Sequence, residues 1–197
     1  MPDAAPRRRR NPEETRAALV AGALDLVSAG AGDPTAKQVA ARAGTSERSV
    51  YVHFPGLDDL RTAVAERQAD QVRALVTAIE PTGPLSDRID AAVAQSMAIY
   101  RLQRHVRPAG LIAAVRVPAI DASMSETEEL IRSTWARAFA PELDRAPDPG
   151  LIDAIDTVLG WSTIFHLVER RRLSEADCNR TQARMLGALL GTAADDR

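Results

Sequence analysis

At 197 residues the chain holds one ordinary domain, or a small domain feeding a larger one. Apolar residues make up 45% and aromatics only 4%, which together with abundant Ala, Leu and Arg favours helix over sheet, because straight-chain residues lose little rotamer freedom in a helix. A formal net charge of −2 gives no general attraction to nucleic acid, and the single Cys178 excludes an intramolecular disulfide and a cysteine-built zinc cage.

Charge is distributed unevenly. Residues 1–54 carry eight Lys/Arg against six Asp/Glu, and residues 55–197 carry seventeen against twenty-one. Much of the basic bias is Arg7, Arg8, Arg9 and Arg10, within a segment 1–11 that reads either as a solvated tail or as an arm touching phosphates or a minor groove. The N-terminal residues have no apolar run of a secretion signal, and no stretch approaches the roughly 20 apolar residues that span a bilayer. The expected setting is the cytoplasm, with no membrane partner.

In chain order, Leu19, Ala23, Leu26 and Val27 form an apolar stripe on a helix that starts near Pro12 and fades at Gly30 to Gly32. Thr35 and Gln38 have capping-box spacing for a short second helix with Val39, Ala40 and Ala43 inward, ending at Gly44. Ser46 is a good N-cap for a third helix over about 47–53, on which Val50 and Phe54 share the inner face. A long helix follows from about Asp58, with Leu60, Val64, Val72, Leu75 and Ile79 inward, until Pro81, Gly83 and Pro84 stop it. Further helices are expected at about 86–105, 109–117 (ahead of Pro118), 125–140, 149–171 and 175–190, with Asp148-Pro149 and Ser174/Asp177 as start signals. That makes nine helices, with 141–149 as an ordered loop. The expected fold class is all-α, with a three-helix domain over 12–65 joined by a long helix to a larger helical domain over 66–197.

The functional signal lies in residues 35–54. Ala40 is small where two helices cross, Gly44 can take the positive φ of a tight turn, and Val50 plugs the contact between the helices. These are the requirements of a helix-turn-helix, whose second helix lies in the major groove and offers its early residues to base edges. The candidate DNA-binding residues are Thr35, Thr45, Ser46, Glu47, Arg48, Ser49, Tyr51 and His53, together with the arginine arm. Arg48 can pair bidentately with guanine, Ser49 makes a less selective hydrogen bond, and Tyr51 and His53 face phosphates. A lone histidine such as His53 is more often a solvated surface residue.

Gly44-Thr45-Ser46, then Val50-Tyr51-Val52-His53-Phe54, then Leu60, occur in an order that resembles the TetR family of transcriptional regulators over about residues 13–65. The resemblance implies a homodimer joined through the last two helices of each subunit. It also implies a small-molecule effector held among the central helices, whose binding alters the spacing of two DNA-reading heads on an operator. The sequence departs from the family pattern at Leu57, where a phosphate-binding lysine is usual, and Arg61 or the arm is expected to compensate. Arg48 stands where the family often has glycine, which implies an operator preference of its own.

Residues 85–190 carry Met97, Tyr100, Arg101, His105, Trp135, Phe139, Trp161, Phe165 and His166, types that line apolar pockets with a few polar groups. For each, core packing is the alternative. The two histidines lack a partner at metal-ligand spacing, so no metal and no cofactor is expected. Arg170, Arg171 and Arg172 read as cations complementing a helix dipole. Leu151, Ile155, Val158 and Leu159, with Met185, Leu186, Leu189 and Leu190, give more apolar surface than one subunit needs, unless both stripes bury within it. No phosphate loop or His-Glu-x-x-His is present, and Gly160-Trp161-Ser162 lacks the closing glycine of a nucleophile elbow, so no enzyme is expected. The rival reading is a helical protein-binding module that keeps this fold without binding DNA.

Overall fold

The computed structural model describes residues 11–145 and 148–192, so the Arg7–Arg10 arm lies outside the described residues. Among these residues there are eleven α-helices, one π-helical turn and no strand, an all-α fold. In chain order the helices are α1 (Pro12–Ser28), α2 (Ala36–Ala43), α3 (Glu47–His53), α4 (Leu57–Leu75), α5 (Leu85–Gln103), α6 (Val106–Ala114), α7 (Pro118–Ala138), α8 (Ala140–Arg145), α9 (Pro149–Leu159), α10 (Trp161–Phe165) and α11 (Glu175–Thr192), with the π-helical turn at His166–Arg170. None of them is by itself long and apolar enough to cross a membrane.

The chain divides into two compact units, one running to Gln68 and taking in His105–Ile120, the other made of Ala69–Arg104 and the residues from Asp121 onward. In the first unit, Leu19, Ala23, Val27, Val39, Ala40, Val50, Phe54, Leu60 and Val64 form one buried cluster. Val106 is buried in that cluster and Ala109 packs against it, which is why α6 belongs with α1–α3 rather than with the C-terminal part of the chain.

Local chemistry sets the helix starts where the sequence signals them. Asn11 caps α1 in a capping box with Glu14, and Pro12 occupies the first turn, where its missing N–H costs nothing. Asp148 Oδ1 accepts the Gly150 N–H at 2.8 Å to open α9, and Ser174 Oγ accepts the Asp177 N–H at 3.1 Å to open α11.

Helix ends and breaks depart from expectation. α4 stops at Leu75, short of the prolines, because the Thr77 N–H and hydroxyl both donate to Gln95 Oε1 on α5, at 2.8 and 2.7 Å, instead of continuing the helix. Leu75, expected inward, is exposed at that end. Pro118 begins α7 rather than ending its predecessor, since the fixed φ of proline suits a first helical turn. The expected loop at 141–149 contains α8. The single helix expected over 149–171 is interrupted at Gly160, whose backbone is extended and where a Cβ would meet the Asp156 carbonyl at 2.9 Å. The carbonyls freed at the break are taken up by side chains: Thr163 Oγ1 donates to Thr157 O at 2.6 Å, Gln182 Nε2 to Val158 O at 2.8 Å and Ser96 Oγ to Leu159 O at 2.5 Å.

In the second unit Trp135, Phe139, Ile155, Leu186 and Leu190 anchor the larger cluster. Leu151, Val158 and Leu159 are buried there too, so the α9 stripe and the Leu186 and Leu190 positions of α11 are satisfied within the second unit. Met185 is 40% exposed on the flank of α11, and Gly187 and Gly191, one turn apart, lie on its exposed side with open space around them.

Candidate nucleic-acid interface

The turn between α2 and α3 is built from the residues the motif requires. Gly44 takes φ +67°, ψ +38°, a left-handed conformation that strains any residue with a Cβ. The Thr45 N–H reaches back to Ala40 O at 3.0 Å and the Gly44 N–H to Ala41 O at 3.3 Å, closing the end of α2 as a Schellman motif does. Ser46 Oγ then accepts the Ser49 N–H at 3.2 Å, which starts α3 and leaves the hydroxyl hydrogen of Ser46 free to donate outward.

Core packing fixes which face of α3 turns to solvent. Val50 is 0% exposed and Phe54 1%, and the Arg16 guanidinium of α1 lies 4.8 Å from the centre of the Phe54 ring. At about 100° per residue, Arg48 and Val52 sit opposite Val50. Tyr51 is 50% exposed and Val52 70%, Glu47 and Arg48 are exposed, and Thr45, Ser49 and His53 are partly covered. Thr35 is exposed, but its hydroxyl accepts the Gln38 N–H at 3.3 Å and donates to Gln38 Oε1 at 2.9 Å, so capping occupies it first.

The basic residues of this unit differ in availability. Arg42 pairs with Asp25 at 2.9 Å. Arg61 holds both oxygens of Asp33, at 3.0 and 2.7 Å, and Asp58 at 2.5 Å; the hydrogen bond with Asp33 is the largest influence raising its pKa. Arg61 is therefore engaged by carboxylates that are themselves exposed. Leu57 itself packs against the core, a structural role for the residue that departs from the family pattern. Lys37, in the first turn of α2, is exposed and was not singled out from the sequence; the signal was a lone basic residue inside the capping box.

The nine residues considered for a pocket do not gather in one place. Met97 and Tyr100 are buried with Ile164 and Cys178, and Trp161 and Phe165 pack against them. The Trp161 and Phe165 rings stack with centroids 4.7 Å apart, and Tyr100 lies 6.2 Å from Trp161. The Tyr100 hydroxyl donates to Glu169 Oε1 at 2.9 Å, and Arg104 reaches the same oxygen at 2.6 Å. Burial raises the Tyr100 pKa above its usual value; burial also pushes Glu169 upward, but the bonds from Tyr100 and Arg104 outweigh it and hold the carboxyl below the usual range. Burial likewise raises the pKa of the Cys178 thiol, which is 0% exposed. Trp135 and Phe139 belong to the larger cluster of the same unit. Arg101 is exposed and paired with Glu175, His166 is exposed in the π-helical turn, and His105 is exposed in the other unit.

No protein-family model and no curated protein matches the chain. Solved structures do. A TetR-family transcriptional regulator from Streptomyces coelicolor superposes with a TM-score of 0.75 at 21% identity, over 95% of this chain and 85% of that one. A putative TetR-family regulator from Mesorhizobium loti gives 0.66 at 20%, over 93% and 98%. The multidrug binding protein EbrR, complexed with ethidium, gives 0.62 at 22%, over 87% and 98%. The chain thus has the fold of TetR-family transcriptional regulators.

Proposed function

We propose that this chain is a sequence-specific, DNA-binding transcriptional regulator that works in the cytoplasm as a homodimer and, as a repressor, leaves a palindromic operator when a small molecule binds. The observation that carries the reading is the outer face of α3, where Arg48 and Tyr51 stand clear while Val50 and Phe54 anchor the helix from behind. The Gly44 turn sets that helix as a helix-turn-helix requires. Arg48 and Ser49 are assigned to base edges, Glu47 to a cytosine amino group, and Thr35, Lys37, Thr45, Ser46, Tyr51 and His53 to the backbone.

A second copy is supported by geometry as well as by function. A single short reading helix needs two half-sites about one helical turn apart for specificity. The exposed face of α11, where Gly187 and Gly191 lie one turn apart with open space around them, admits close approach of another helix. The Tyr100, Trp161 and Phe165 group is the proposed effector site, supported by the ethidium complex of EbrR, whose fold is similar. No catalytic step and no cofactor is assigned.

Selection of bound duplexes from a random library at two salt concentrations tests the whole reading. The expected result is an enriched inverted repeat whose affinity falls steeply with salt, as counterion release requires. Failure to enrich any sequence at either salt would favour a protein-binding module with the same fold.

Leu57→Lys provides a quantitative check on the backbone contacts. The variant should tighten binding to every duplex and steepen the plot of log K against log salt by about one unit, at a cost of about 1 kcal/mol in stability from lost packing. An unchanged slope in a titration over three salt concentrations would mean that the start of α4 does not face a phosphate.

A further inference from the structure

Val52 is an apolar, β-branched side chain on the outer face of α3, and at 70% it is more exposed than Tyr51 beside it. It has no hydrogen-bonding group, so it cannot hold a phosphate, and with Val50 filling the core it supports no packing inward. It lies four residues after Arg48, on the same side of the helix. The major groove offers an aliphatic side chain one discriminating feature, the 5-methyl group of thymine. Cytosine at the same place would present an amino group that valine leaves unpaired.

We propose that Val52 reads a thymine methyl group in each half-site, close to the guanine read by Arg48. Four residues of helix rise by about 6 Å, which corresponds to roughly two base-pair steps of about 3.4 Å, so the thymine lies within about two base pairs of that guanine. The inference rests on the DNA-binding function proposed above and names part of the sequence that function recognises.

The test uses the full-length protein and the duplex enriched by selection, with thymines replaced by deoxyuridine one symmetric pair at a time. Deoxyuridine removes the methyl group and leaves base pairing intact. Binding is measured by fluorescence anisotropy at one salt concentration. One thymine position should lose about fourfold in affinity per half-site, about fifteenfold for the pair, the value of one methyl group withdrawn from an apolar contact. In Val52→Ala that sensitivity should shrink towards none while the guanine preference set by Arg48 persists. Deoxyuridine tolerated at every position by the wild-type protein, or a sensitivity unchanged in Val52→Ala, overturns the assignment while leaving DNA binding in place. Failure to enrich any duplex overturns both the assignment and the function beneath it.

Discussion

Replacing Arg48 with alanine should weaken binding to the selected duplex by about 1 to 3 kcal/mol per half-site, and by roughly twice that for a symmetric site, while relaxing the preference at one base pair in each half. The reason is availability. Arg48 is exposed on the outer face of α3 and has no ion-pair partner among the described residues, whereas Arg42 and Arg61 of the same unit are held by Asp25, Asp33 and Asp58. A free guanidinium at the start of a reading helix can present its fork to guanine O6 and N7 without giving up an internal contact. Arg42→Ala is the control, since its charge is already neutralised by Asp25 and its loss should change specificity little. Equal weakening by Arg48→Ala on every duplex, measured by competition, would reassign Arg48 to the phosphate backbone.

The second large effect is on stability and lies in the second unit. Arg88, 5% exposed, and Glu142, 3% exposed, form a bidentate pair with both bonds at 2.7 Å. The guanidinium also donates to Ala138 O at 2.8 Å and to Gly83 O at 3.0 Å, so one side chain ties the start of α5 to the end of α7 and to α8. Arg88→Ala strands a buried carboxylate and two carbonyls. The expected cost is about 3 to 5 kcal/mol, a fall of roughly 6 to 20 °C in the melting temperature of the second unit. Replacing both partners with apolar residues of similar volume, as in Arg88→Met with Glu142→Leu, should recover most of it. Equal loss in the double variant, followed by thermal unfolding, would place the cost in packing rather than in an unpaired charge.

The same pair predicts a pH dependence. The hydrogen bonds from Arg88 hold the Glu142 carboxyl below the usual range against the opposing effect of burial. A depressed carboxylate contributes stability that is present above its unfolded pKa, about 4.3, and is lost as pH falls through the lower folded value. Stability should therefore decline below about pH 4, and Glu142→Gln should start less stable and decline less over that interval.

Arg88 and Glu142 also show where reading the chain stops. Neither residue is singled out by periodicity, and Glu142 falls in a stretch with three prolines that reads as a loop, yet together they form the buried link of the second unit. Partners 54 residues apart leave no local spacing for a pattern to reveal. The break at Gly160 has the same origin. Taken alone, the stretch after Pro149 reads as one helix through Gly160, and the break there is sustained because Ser96, Thr163 and Gln182 supply donors to the carbonyls it frees. The aromatic residues beyond Pro84 were equally ambiguous, since helical spacing is common to pocket walls and cores; Tyr100, Trp161 and Phe165 come together while Trp135 and Phe139 pack elsewhere.

Where structure is decided within a few residues, the sequence by itself determined it: the capping box at Thr35, the glycine turn at Gly44, the Ser46 cap, and the inward Val50 and Phe54 all stand as their spacing dictates. Each depends on backbone groups one turn away, so type and interval are sufficient information. Tertiary structure decided the rest. It assigned α6 to the first unit, committed Arg61 to Asp33 and Asp58, left Arg48 and Val52 open to solvent, and buried Arg88 against Glu142. Those outcomes depend on which distant side chains are brought beside a polar group or an apolar gap, and that is set by the packing of whole helices rather than by any local interval.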